Sequence, residues 1–159
     1  MNIDYESNMI LVLGLGNPVL SDDAIGLRVV EALQNRELDG VDAREGSSDL
    51  DIFEGLTSYE YVIFVDAVES GGEPGTVYEA SLSQIEPKLS THNFDLNLVK
   101  YLESVEGGGP QVILLAVEAG DIQTISEKCT PEVEEAISKI LNTVETLSMK
   151  LNYQNQQKV

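Results

Sequence analysis

Cysteine, histidine and cationic side chains are scarce in this chain. Of its 159 residues one is cysteine, one is histidine and nine are lysine or arginine, set against 28 aspartates and glutamates. The lone thiol, Cys129, excludes an internal disulfide framework and any multi-cysteine zinc site. With no second Cys or His near it in sequence, it reads as a small residue ahead of the last helix. A formal net charge of −19 argues against nucleic acid as a partner, because that affinity rests on Lys and Arg neutralising phosphates. The charge suits a solvated surface first and a cationic partner segment second. Long apolar runs are also missing. No stretch reaches the roughly 18 apolar residues of a membrane span. The apolar run Met9 to Leu15 is preceded by Asp4 and Glu6, not by the basic region of a signal peptide. The expectation is a cytoplasmic protein that leaves membranes alone. A 42% hydrophobic composition suits one core, hence one domain over residues 1–159 with frayed ends at 1–8 and 152–159.

What is present is an alternation of buried-strand and helix patterns. Met9 to Gly16 (MILVLGLG) reads as a buried strand ending in glycines. Ala24 to Arg36 follows as a helix with Ile25, Val29, Ala32 and Leu33 on one side. Val41 to Glu45 is a short strand, and Leu50, Phe53 and Leu56 recur at helical spacing after a possible cap, Ser48. Tyr61 to Ala67 is β-branched and apolar with one acid near its end, as a central parallel strand requires. A break at Gly71, Gly72, Pro74 and Gly75 leads into a short edge strand, Thr76 to Ala80. Asn93 to Glu103 has a helical face, Gln111 to Val117 is another buried strand, and Pro131 opens a long helix that Thr130 is placed to cap. Strands alternating with helices make right-handed βαβ units: an α/β fold, a three-layer α/β/α sandwich around a mostly parallel sheet. Ligands in such sheets bind beyond the carboxyl ends of the strands, at the topological switch point.

The loops at those ends therefore carry the chemistry. The first, Gly14 to Gly26, is GLGNPVLSDDAIG. It begins like a dinucleotide fingerprint, but Pro18 removes a backbone N–H, the third glycine is absent, and Asp22 and Asp23 would repel a pyrophosphate at the helix start. One acid suffices to cap a helix and complement its dipole, a role assigned to Asp22, which leaves Asp23 to face the crevice. Asp66 ends the strand YVIFVD, where it either bonds the following turn or faces the same crevice. His92, the only imidazole, stands just before a helix start. Asp23, Asp66 and His92 together suit a divalent transition metal with open positions, while a carboxylate acting as general base on water is the alternative. No Ser-His-Asp order or nucleophilic cysteine context favours covalent catalysis.

The loop GLGNPVLSDDAIG, the strand end FVDAV and the later STHNFDL resemble, in that order and spacing, the maturation endopeptidases of nickel-iron hydrogenases. The resemblance spans Gly14 to Leu96. It implies a five-stranded sheet between helices in a phosphorylase/hydrolase-like fold. It implies an aspartic-type or metal-dependent endopeptidase that removes a C-terminal extension from the hydrogenase large-subunit precursor after nickel insertion. Asp23, Asp66 and His92 would contact that nickel, which belongs to the precursor, and Asn17 and Asp22 would shape the loop. Asp23 stands where relatives often carry Glu. Two alternatives remain. A module that binds the nickel-loaded precursor without cutting it would use the same side chains. Peptidyl-tRNA hydrolases also begin with GLGNP, but they continue into an Asn- and His-bearing segment where this chain has VLSDDAIG.

Overall fold

The computed structural model describes residues 9–46, 55–81, 104 and 108–157. Strand β1 covers Ile10–Gly14, β2 Val41–Glu45, β3 Tyr61–Val68, β4 Val77–Ser81 and β5 Gln111–Glu118. Between β1 and β2 lie a 3-10 turn, Ser21–Ala24, and helix α1, Ile25–Arg36. Helix α2, Pro131–Gln157, follows β5. Every strand read from the sequence is present with ends shifted by a residue or two. The expected helix over Asn93 to Glu103 falls outside the described residues, as does all but Gly55 and Leu56 of the expected helix over Leu50 to Leu56.

The five strands form one sheet in the order β2-β1-β3-β5-β4. The pairs β1–β2, β1–β3 and β3–β5 are parallel, and only the edge strand β4 runs antiparallel, against β5. Alternation divides the apolar side chains between two faces. Ile10, Val12, Ile63, Val65, Leu115 and Val117 pack with α1 and α2, whereas Leu11, Leu13, Val62, Phe64, Val112 and Leu114 build the opposite core with Leu56 and Tyr59. A parallel strand buried on both faces has no polar side to show, which is why β1, β3 and β5 read as continuous apolar runs.

From β1 the chain crosses to β2 on one side and later returns to β3 on the other, which puts the switch point between the carboxyl ends of β1 and β3. The register exposes that point. Gly14, the last residue of β1, lies opposite Val65, and β3 continues through Asp66, Ala67 and Val68. Helix α1 starts directly over this junction. A Cβ on Gly26 would stand 2.3 Å from the Val65 carbonyl oxygen and 2.4 Å from that of Leu15, so the helix docks backbone against backbone.

Helix α2 runs the length of the sheet, beginning near the first loop and ending near the start of β1. It is longer than its apolar spacing indicated. The tail expected to fray from Asn152 is helical through Gln157, because Ser148 Oγ donates to the Asp39 carbonyl at 2.8 Å and Asn155 Nδ2 reaches Met9 Sδ. Those polar contacts leave no mark in a hydrophobic pattern.

Gly26→Ala should destabilise the protein by about 1–3 kcal/mol or more, since the crowding atoms are backbone and have no rotamer to move into. Urea unfolding checks this; an unchanged midpoint would mean that α1 is free to shift.

Candidate functional site

The loop after β1 is folded tightly onto the 3-10 turn. Gly16 has φ +138°, and a Cβ there would lie 1.8 Å from the Asp23 carbonyl oxygen. Asn17 organises the rest of the loop. Its backbone N–H donates to Asp23 Oδ2 at 3.0 Å, and its side-chain Oδ1 accepts the Val19 N–H at 3.1 Å. The loop-shaping role implied for Asn17 is thus visible as two hydrogen bonds.

The adjacent acids Asp22 and Asp23 point to different places. Asp22 is fully buried and does not cap the helix it precedes: neither the 3-10 turn nor α1 has a side-chain cap bond. Its carboxylate instead accepts the backbone N–H groups of Gly120 at 2.8 Å, Asp121 at 2.9 Å and Thr130 at 2.7 Å. It also accepts the Thr130 hydroxyl, at 2.9 Å to Oδ2. This corrects the capping assignment. The partners come from beyond β5, and the helix whose start Asp22 serves is α2. Thr130, expected to cap α2, directs its hydroxyl at this carboxylate. A buried anion at a helix start is stabilised by the N–H groups there and by the helix dipole. Asp23, by contrast, is partly exposed and keeps its bond to Asn17.

Asp66 lies on β3 one residue past the end of β1, opposite Ala116 of β5, and is fully buried. Its Oδ1 accepts the Ala67 N–H at 2.8 Å. That donor is the next residue of β3 itself, not the following turn from which a bond was expected, and it holds the carboxylate at the carboxyl edge of the sheet. The turn bearing Asp23 packs against the same strand. His92 lies outside the described residues. Among the described residues no group of His, Cys, Asp or Glu side chains is assembled to hold a metal ion.

Two residues passed over in sequence complete the edge. Glu118, at the end of β5, is buried. It accepts the Ser70 N–H at 3.0 Å, the Ser70 hydroxyl at 2.8 Å and the Gly72 N–H at 2.6 Å, and so holds the loop after β3. The same signal that marked Asp66 marks it, an acid closing an apolar strand (QVILLAVE). Between the two strand ends opens a polar cleft of about 370 Å³, lined by Glu69, Gly72, Glu118, Gly120 and Asp121 among others. Arg28 reaches back from α1. Its guanidinium donates to the carbonyls of Pro18 at 3.2 Å and Glu127 at 2.9 Å, so one cation braces the first loop and the segment before α2 together. Cys129 sits beside this brace and donates to the Ser21 carbonyl. Burial, then the nearby Asp22 and Glu134 carboxylates, push its thiol up to about 11.

An open, doubly wound α/β sheet with carboxylates gathered at its switch point is the frame of a hydrolase or ligand-binding protein whose chemistry sits on the strand-end loops. Comparison with known proteins supplies the rest. Residues 27–147 match the hydrogenase maturation protease family. The hydrogenase 2 maturation protease of Escherichia coli is 31% identical over 143 residues, covering 85% of this chain and 87% of that protein. Among solved structures, the hydrogenase maturating endopeptidase HybD of E. coli superposes with a TM-score of 0.73 at 29% identity, over 89% of this chain and 93% of that one. The hydrogenase 2 maturation peptidase of a Thaumarchaeota archaeon does so with a TM-score of 0.63 at 31% identity, over 86% and 95%. The chain belongs to the hydrogenase maturation protease family. Its activity class is therefore that of a peptidase, and the family membership leaves the peptidyl-tRNA hydrolase alternative without support.

Asp22→Ala strands three backbone N–H groups, and the expected loss is about 3 kcal/mol or more in chemical denaturation, well above the ~1 kcal/mol of a lost cap. A loss near the lower figure would return Asp22 to a capping role. The Cys129 thiol, holding its proton to about pH 11, should alkylate at pH 8 at least about tenfold more slowly in the folded protein than in urea. Equal rates in the two states would contradict the burial described. Because the folded thiol binds its proton more tightly than the unfolded one, its contribution to stability is lost only as pH rises above about 9.

Proposed function

We propose that the protein is the endopeptidase that trims the C-terminal extension from a nickel-iron hydrogenase large-subunit precursor, and that it recognises the precursor's nickel through Asp23, Asp66 and His92. The observation that carries this reading is the placement of Asp23 and Asp66 at one switch point, each with a carboxylate oxygen oriented by a backbone N–H. Orientation of this kind is what a metal-contacting carboxylate needs from its surroundings. Two carboxylates and an imidazole are also a donor set that a divalent transition metal accepts. Nickel is in this reading part of the substrate. An acidic crevice that meets a metal-bearing substrate can test whether insertion is complete before hydrolysis begins.

Peptide hydrolysis needs an activated water and a polarised carbonyl. A carboxylate of this set takes the proton from water, and the substrate's metal supplies Lewis acidity when present. Asp66 is enclosed in the sheet edge, so the nickel meets it only once neighbouring groups move aside, whereas the partly exposed Asp23 has access to solvent water. The net charge of −19 draws in a cationic centre and holds off anionic competitors. The named relatives are hydrogenase maturation proteases and endopeptidases, which supports this substrate class.

Incubating the protein with nickel-loaded and nickel-free precursor, read by mass spectrometry, tests the proposal. Loss of a C-terminal peptide from the loaded form alone is expected. Asp23→Asn, Asp66→Asn and His92→Ala should each reduce trimming by at least roughly a hundredfold while the circular dichroism spectrum is kept. Full activity of His92→Ala would sink the assignment, and a stable complex with uncut precursor would mark a binder instead of a protease.

A further inference from the structure

The large apolar side chains left exposed among the described residues fall at opposite ends of the sheet. Met149 and Tyr153 lie on the last turns of α2, whose Asn155 touches Met9 at the amino end of β1. Val19, 44% exposed, and Ile125, 84% exposed, lie at the carboxyl edge. The segments that carry them are paired: Leu20 and Ser126 form a parallel bridge, the Ser126 N–H donates to the Val19 carbonyl at 3.0 Å, and the Ser21 N–H donates to the Ser126 carbonyl at 2.9 Å. The backbone around them is braced. Arg28 holds the carbonyls of Pro18 and Glu127, and Asn17 Oδ1 holds the Val19 N–H.

We propose that Val19 and Ile125 form a paired apolar anchor for the substrate polypeptide, beside the loop that carries Asp23. The anchor rests on the function proposed above. Continuity with the site is the first argument. Asn17 gives its side chain to the Val19 amide and its own N–H to the Asp23 carboxylate, so the anchor and the acid share one hub. Preorganisation is the second, since an apolar side chain displayed on a braced backbone is covered with little further ordering cost. Size and charge decide against other occupants. Two side chains fall far short of the roughly 1,200 Å² that a stable dimer interface buries. A chain of net charge −19 is repelled by anionic lipid. The occupant is therefore an apolar stretch of the precursor next to its cleavage region.

The test compares the double variant Val19→Ser, Ile125→Ser with Met149→Ser, Tyr153→Ser as the control from the far end of the sheet. Nickel-loaded precursor is titrated with each, and trimming is followed in parallel. The first pair should raise Kd and KM by roughly tenfold to a hundredfold, with the melting temperature unchanged, and the second pair should alter neither. Equal Kd values for the wild type and the first pair, with trimming intact, would overturn the anchor and leave the protease reading standing. A wild-type protein that neither binds nor trims the precursor would overturn both. A concentration-dependent dimer that the first pair abolishes would assign the patch to self-association and remove it from substrate binding.

Discussion

A buried carboxylate with no cationic partner is an expensive thing to fold around, and among the described residues Asp22 is one. Taken out of water, a carboxylate needs hydrogen-bond donors in place of its hydration. Those donors come from Gly120, Asp121 and Thr130. One side chain thus fastens the first loop, the loop leaving β5 and the start of α2. The remaining features of the edge follow from that knot. The 3-10 turn cannot rotate without stranding Asp22, so Asp23, next along the turn, is held against Asn17 at the surface. Arg28 and Cys129 close the same junction from the other side, through the Pro18, Glu127 and Ser21 carbonyls.

The sheet edge also shows how residues of one type come to do different work. Asp66 and Glu118 both end apolar strands and both are buried, yet Glu118 is engaged by the Ser70 and Gly72 donors of a neighbouring loop and acts as a structural tether. Asp66 is positioned one residue beyond the end of β1, at the switch point itself. Local sequence pattern treats the two alike. The strand order separates them, because only the junction of β1 and β3 opens on the loop that carries Asp23.

Close backbone packing ties the fold to the site. Gly14 and Gly26 let α1 begin almost in contact with the ends of β1 and β3, so both ends of the loop between them are fixed to the sheet. Site residues on a loop anchored in this way take their positions from the sheet, which is the rigid part of the molecule. The hydrogen bonds of Asn17 brace this loop at Val19 and at Asp23 alike.

Much of this was legible beforehand, for local reasons. The apolar runs of β1, β3 and β5, the helical spacing of α1 and α2, and the turn glycines are written in periods of two and 3.6 that need no distant partner. Hence the strands, the mostly parallel sheet, and the location of the acids at its carboxyl edge followed from the amino acids alone. So did the first-loop, strand-end and histidine motifs and their kinship. The partners of Asp22 did not. They stand 98, 99 and 108 residues away, and a carboxylate at a helix start looks like a cap until the far donors are brought to it. The helical tail to Gln157 has no local signature for the same reason, since it is held by polar contacts to Asp39 and Met9. Periodicity and motif therefore determined the layers and the chemical inventory of this protein. Which aspartate is buried as a tether and which is left at the surface was decided by tertiary structure, because the donors that satisfy a buried charge are assembled only when distant segments meet.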